Sequence, residues 1–134
     1  KIVDVRRHPV ACCFSNFTTY FNLQTSVPSN LADIARHYRS YVRMGFHLNA
    51  ALPGRVHLVQ YEELVENIEG EVRRLLAYLD LPFDPACLRF HENPRVVDTP
   101  SSEQVRTPLN REGLGKWRNY QPWLAPLINE LALG

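Results

Sequence analysis

Lysine is scarce in this chain. Of its 15 basic residues only Lys1 and Lys116 are lysines; the rest are arginines. Arginine makes planar, bidentate contacts to phosphate and carboxylate, so the bias reads either as anion recognition or as genomic base composition. Cysteine is also scarce: Cys12, Cys13 and Cys87 make an odd count of three, with no C-x-x-C or Cys/His zinc spacing. They read as buried thiols in a reducing compartment, which favours the cytoplasm and otherwise leaves the compartment open. No apolar run reaches the length of a membrane span, and no signal-peptide pattern is visible. Repeats, low-complexity tracts and acidic metal-binding motifs are absent as well. A formal net charge of +1 gives no global case for a nucleic-acid or membrane partner.

The 134 residues, 45% of them hydrophobic, suit one globular domain with a real core. Residues 1–6 read as a strand that already runs at the first residue, without an initiator Met, which suggests a piece of a longer protein. Pro9 suits the first turn of a helix over about 9–21. A loop over 22–29 follows, then Ser29 or Asn30 as a cap and a long helix in which Leu31, Ile34, Ala35, Tyr38, Val42 and Phe46 recur at helical spacing. Pro53-Gly54 stops it, and 55–61 alternates as a second strand. From Glu62 the pattern is helical again, with Leu64, Val65, Ile68, Val72, Leu75, Leu76 and Leu79 on one face. Asp84 caps a short helix at Pro85, residues 92–110 form a proline-marked loop, and two helical pieces over 112–120 and 122–133 end the chain. Strand, helices, strand, helices is the order of an α/β protein with parallel strands, here at about 1–6 and 55–61.

Three stretches could carry chemistry. In "DVRRHPVACCFSNF", Arg7 stands at a strand end, where open α/β sheets bind ligands, and a helix N-terminus follows it. Ser15 follows within the same helix and could face the same anion; alternatively Arg7 is an ordinary surface or salt-bridged residue. In "SSEQVRTPLNREGLGKW", hydroxyls, Arg106, Asn110, Arg111 and Lys116 surround two glycines that let backbone approach a phosphate or sulfate. The same stretch also reads as a solvated basic loop whose Trp117 packs on the core. In "LVQYEEL", Tyr61 and Glu62 end the second strand on the same sheet edge as Arg7.

Together "RHPVACCFSNF", "VQYEELVENIEGEVRRLLAYLDLPFDPACLRFHENPRVV" and "SSEQVRTPLNREGLGKWRNYQPWL" resemble the C-terminal half of a sulfotransferase. The likeness is to bacterial enzymes with upstream tetratricopeptide repeats and to the animal tyrosylprotein sulfotransferases. The resemblance implies a partial P-loop-like α/β fold, helix-rich, spanning 1–134. It implies a nucleotide donor, 3′-phosphoadenosine 5′-phosphosulfate (PAPS), whose product is 3′-phosphoadenosine 5′-phosphate (PAP), and no metal. Arg7 and Ser15 match the pair that grips the 3′-phosphate, and Tyr61 a tyrosine on the nucleotide. Ser101 matches a serine near the sulfonate, which makes it the one catalytic candidate. Asn110 and Lys116 match the loop that closes over the cofactor, and Arg111 with residues 113–117 resembles an "RKGxxGDWK" element with shortened glycine spacing.

The departures are specific. His8 replaces the aspartate of the usual "RDP" element, and Thr19 replaces an arginine found in some relatives. The phosphosulfate-binding loop and the catalytic base, upstream in relatives, are missing, and none of the five histidines matches that base. The expectation is a cofactor-binding half that is inactive alone, with the acceptor hydroxyl or amine undefined. Two other readings stand beside it: a non-catalytic interaction or self-association module that pairs through an exposed sheet edge, and a small kinase, which the missing acidic metal motifs disfavour.

Overall fold

The computed structural model describes residues 1–19, 30–98 and 102–133. The expected loop at 22–29, Ser29 and Ser101 lie outside these residues; the first helix, expected to run to about residue 21, ends at Thr18, with Thr19 already extended. Strands β1 (Ile2–Arg6) and β2 (Val56–Gln60) pair in parallel, with Ile2 opposite Val56 and Arg6 opposite Gln60. Parallel pairing needs a long crossover, and helices α1 (Pro9–Thr18) and α2 (Leu31–Ala51) lie within it. Pro9 opens α1, and the Asn30 side chain caps α2 by accepting from the Asp33 N–H at 2.8 Å. After α2 the chain reverses through Gly54, whose φ of +72° suits a residue without Cβ.

Both strands are a little shorter than the sequence suggests: Lys1 lies outside β1, Arg55 outside β2, and Tyr61 already belongs to α3 (Tyr61–Glu66). The single helix expected from Glu62 is also two. Asn67 leaves helical geometry (φ −144°, ψ 70°), and its side chain accepts from the Gly70 N–H to start α4 (Ile68–Leu79). Asparagine offers the backbone this local alternative to a continuous helix. Asp84 accepts from the Ala86 N–H as expected, but the segment it caps, Pro85–Glu92, is 3₁₀. Within the expected loop lies one short 3₁₀ turn, Gln104–Arg106. The tail consists of α5 (Glu112–Gly115), a 3₁₀ stretch at Lys116–Trp123 that contains Pro122, and α6 (Ala125–Ala132).

The core is helical. Val10, Cys13 and Phe14 of α1 meet Ile34 and Ala35 of α2 and Leu124 and Leu127 at the start of α6, with Tyr38 and Trp117 packed at its margin. The strands contribute little to it: Val59 is their one buried residue among those described. The expected apolar face of α3 and α4 is only half-buried, whereas Glu71, ion-paired to Arg74, is buried. Cys13 is buried and Cys12 partly covered, but Cys87 is exposed, contrary to the reading of all three as buried thiols. Among the described residues Pro85–Glu92 touches the rest of the molecule mainly through α4 and the Gln104–Arg106 turn, which leaves the Cys87 side chain exposed.

Candidate functional site

With Arg6 opposite Gln60, the next residue along each strand, Arg7 and Tyr61, leaves the sheet on the same edge. The Arg7 guanidinium lies over the Tyr61 ring, 5.2 Å from its centroid, and Nη2 donates to the Gly113 carbonyl. The Arg7 carbonyl accepts from the Tyr38 hydroxyl at 2.9 Å. Burial pushes the Tyr38 phenol up to about 12, so it keeps the proton it donates. The His8 N–H donates to Glu62 Oε1 at 2.9 Å, and Gln60 Nε2 donates to Glu62 Oε2 at 2.9 Å. Burial alone would raise the Glu62 carboxyl; these hydrogen bonds and the nearby Arg7 charge outweigh it and hold the group below its ordinary value. Both strand ends are therefore tied to each other and to α2.

Beside these ends is a cavity of about 670 Å³. Ala11, Phe14, Ser15, Thr18 and Thr19 form one wall; their spacing is that of one face of α1. The opposite wall comes from the 104–117 stretch, including Asn110, Gly113, Lys116 and Trp117, and Phe90 also contributes. The cavity thus brings together Arg7, Ser15, Tyr61, Asn110 and Lys116, five positions singled out from sequence. It runs along the side of α1, however. None of residues 8–10 lines it, so the expected contribution of free N–H groups at the helix tip gives way to side chains.

Arg111 departs from expectation. Its guanidinium donates to Glu66 of α3, its side chain is 70% exposed, and it does not line the cavity. An acidic partner in reach took it, which spacing along the chain does not reveal. Ser101 lies outside the described residues. Sequence reasoning missed Phe14, Thr18, Phe90 and Glu112 as lining residues. The helical period through Ser15 could have found the first two; Phe90 arrives from a distant 3₁₀ turn with no local signal.

Asn110 Oδ1 accepts from the Glu112 N–H at 3.0 Å, which shapes the turn that presents Gly113. A Cβ on Gly113 would sit 3.1 Å from Arg7 Nη2 and 4.0 Å from the Tyr61 hydroxyl, so the backbone approaches where a side chain has little room. Arg7 Nε is buried with no hydrogen-bond partner among the described residues. Cys12 and Cys13 are not nucleophile candidates: burial raises both thiols, Cys13 to about 12, and only the thiolate attacks. Among the described residues no cluster of His, Cys, Asp and Glu could hold a metal ion, and no helix is long and apolar enough to cross a membrane.

A parallel strand pair with a cation-lined cavity beyond its carboxyl ends is the arrangement by which α/β proteins hold anionic ligands. The family model described as "Sulfotransferase family" matches residues 1–85, well over half of the chain, and the chain belongs to that family. An uncharacterized protein of Aquifex aeolicus (strain VF5) is 27% identical over 137 aligned residues, covering all of this chain and 18% of that protein. A protein-tyrosine sulfotransferase of Drosophila melanogaster is 37% identical over 70 residues, covering 47% of this chain and 14% of that protein. The chain therefore spans less than a fifth of the length of these curated relatives.

Proposed function

We propose that the cavity binds the PAPS/PAP nucleotide as part of a P-loop-like sulfotransferase domain, and that the parent protein transfers sulfonate to a hydroxyl or amine. The observation that carries this reading is the convergence of Arg7, Ser15, Tyr61, Asn110 and Lys116 on one cavity from distant segments of the chain. The residues present fit an anionic nucleotide. Arg7 has a buried donor left over, Lys116 adds a second positive charge, and Gly113 keeps the backbone close. When bound, PAPS supplies an activated sulfonate on a phosphate leaving group.

In this reading Arg7 and the Ser15 hydroxyl hold the 3′-phosphate. Tyr61 lies under the guanidinium and limits where it can swing. Asn110 and Lys116 close from the opposite wall and neutralise charge, the positioning and electrostatic work that such group transfer demands. Ser101 stays a sulfonate-side proposal through the resemblance alone, and so does Arg111, whose guanidinium pairs with Glu66 outside the cavity lining. Calorimetric titration of the chain with PAP tests the reading. Binding is expected that weakens sharply in Arg7→Ala and with adenosine 5′-phosphate, which lacks the 3′-phosphate; equal binding of both nucleotides overturns the 3′-phosphate grip. Incubation with PAPS and a phenol or amine should give no turnover, since no base or phosphosulfate cradle has been assigned in this chain.

One observation favours the non-catalytic module as a second reading. The sheet leaves Ile2, Val3, Val5 and Leu58 at 37–60% exposure, and apolar strands so placed invite pairing with another chain. Sedimentation of the chain across a concentration series decides it: self-association that PAP leaves unchanged supports the module.

A further inference from the structure

The segment that forms the far wall is short of internal support. Between Thr107 and Glu112 it has no regular structure, and α5 is a single turn. Besides the exposed Arg111–Glu66 ion pair to α3, two contacts hold it against the strand end itself. One is the Arg7 hydrogen bond to the Gly113 carbonyl. The other belongs to the neighbouring residue: the His8 imidazole stacks on the Trp117 indole, with centroids 5.3 Å apart and planes within 10°. Trp117 also packs against the helical core, so it is an anchored platform. His8 in turn is fixed from behind, because its N–H donates to Glu62.

These two contacts cannot serve equally once an anion arrives. A ligand phosphate competes with the Gly113 carbonyl for the Arg7 guanidinium, whereas the ring stack engages neither Arg7 nor Lys116, the cations of the cavity. Building on the nucleotide reading, we infer that His8 is a positioning residue: its stack on Trp117 keeps residues 110–117, with Asn110 and Lys116, over the cavity independently of Arg7. The requirement is for a flat ring at position 8. The aspartate that stands there in the "RDP" element could not supply one. Stacking at a half-open site is worth about 0.5–1.5 kcal/mol, enough to shift a local closing equilibrium by a few-fold to tenfold.

The test uses the 134-residue chain in a Trp123→Phe background, which leaves Trp117 as the one indole. Acrylamide quenching of Trp117 emission and calorimetric PAP binding are compared for His8, His8→Ala and His8→Phe. His8→Ala should make Trp117 more accessible to the quencher and raise the PAP Kd about three- to tenfold. His8→Phe, which keeps a ring and no titratable group, should restore both. Equal quenching in all three overturns the inference, as does failure of His8→Phe to restore a protection lost in a folded His8→Ala. If PAP does not bind at all, the nucleotide reading falls, and the quenching comparison still decides whether His8 holds the segment.

Discussion

The helical side of the molecule and its sheet are built to different standards. Around α1, α2 and α6, Cys13, Leu124 and Leu127 are almost completely buried. Across the two strands only Val59 is, while Val5 is 60% and Leu58 49% exposed. The cavity lies on the seam between them. One wall is a face of α1, whose other side is core; the edge is the two strand ends; the far wall is the loosely built 104–117 stretch. Core packing and cavity wall are thus carried by adjacent faces of one helix, and the strand ends bring Arg7 and Tyr61 together.

The contrast can be broken from the core side first. Leu127→Ala removes a fully buried side chain and should cost about 2–5 kcal/mol, whereas Leu58→Ala on the open sheet should stay near about 0.5 kcal/mol; denaturant melts of the two variants read the difference. Next in size is Arg7→Ala, which removes a charged donor and should weaken PAP binding by about 2 kcal/mol or more, roughly thirtyfold in Kd, against about 1 kcal/mol of stability for the lost bond to the Gly113 carbonyl. If stability falls as far as affinity, Arg7 is a structural tie rather than a ligand grip.

Tyr38→Phe deletes the hydroxyl that holds the Arg7 carbonyl. It should cost about 1 kcal/mol of stability and a smaller part of PAP affinity, since it acts through Arg7. The smallest effect concerns Glu62. Its carboxyl titrates below its ordinary value when folded, so the unfolded chain binds the proton more readily. The stability it contributes is present above the unfolded value of 4.5 and disappears as pH falls through the depressed folded value. Glu62→Gln should therefore lower stability slightly near neutrality and flatten the acid side of the stability–pH curve, the two proteins converging at low pH; an unchanged acid limb would show that the carboxyl titrates alike in the folded and unfolded chain.

Much of the architecture was legible in the residues. Pro9, Asn30 and Gly54 mark helix boundaries by their own backbone chemistry, and alternation in 55–61 identifies β2. The break at Asn67 was not, since a good apolar period ran through it and a side-chain bond to Gly70 decided otherwise. At the site, Arg7, Ser15 and Tyr61 were legible because strand ends and helix periods are local properties. The Glu66 partner of Arg111 was not legible, because it lies 45 positions away along the chain.

By itself the sequence determined the order of elements, the parallel strand pair and the side chains able to meet an anion, because caps, periods and strand ends are written within a few residues of one another. Tertiary structure decided which of those side chains share a cavity, which face of α1 they use and what holds the far wall. Those outcomes follow from through-space competition for Arg7, Arg111 and Trp117: the Gly113 carbonyl, Glu66 and His8 captured them once the chain had folded.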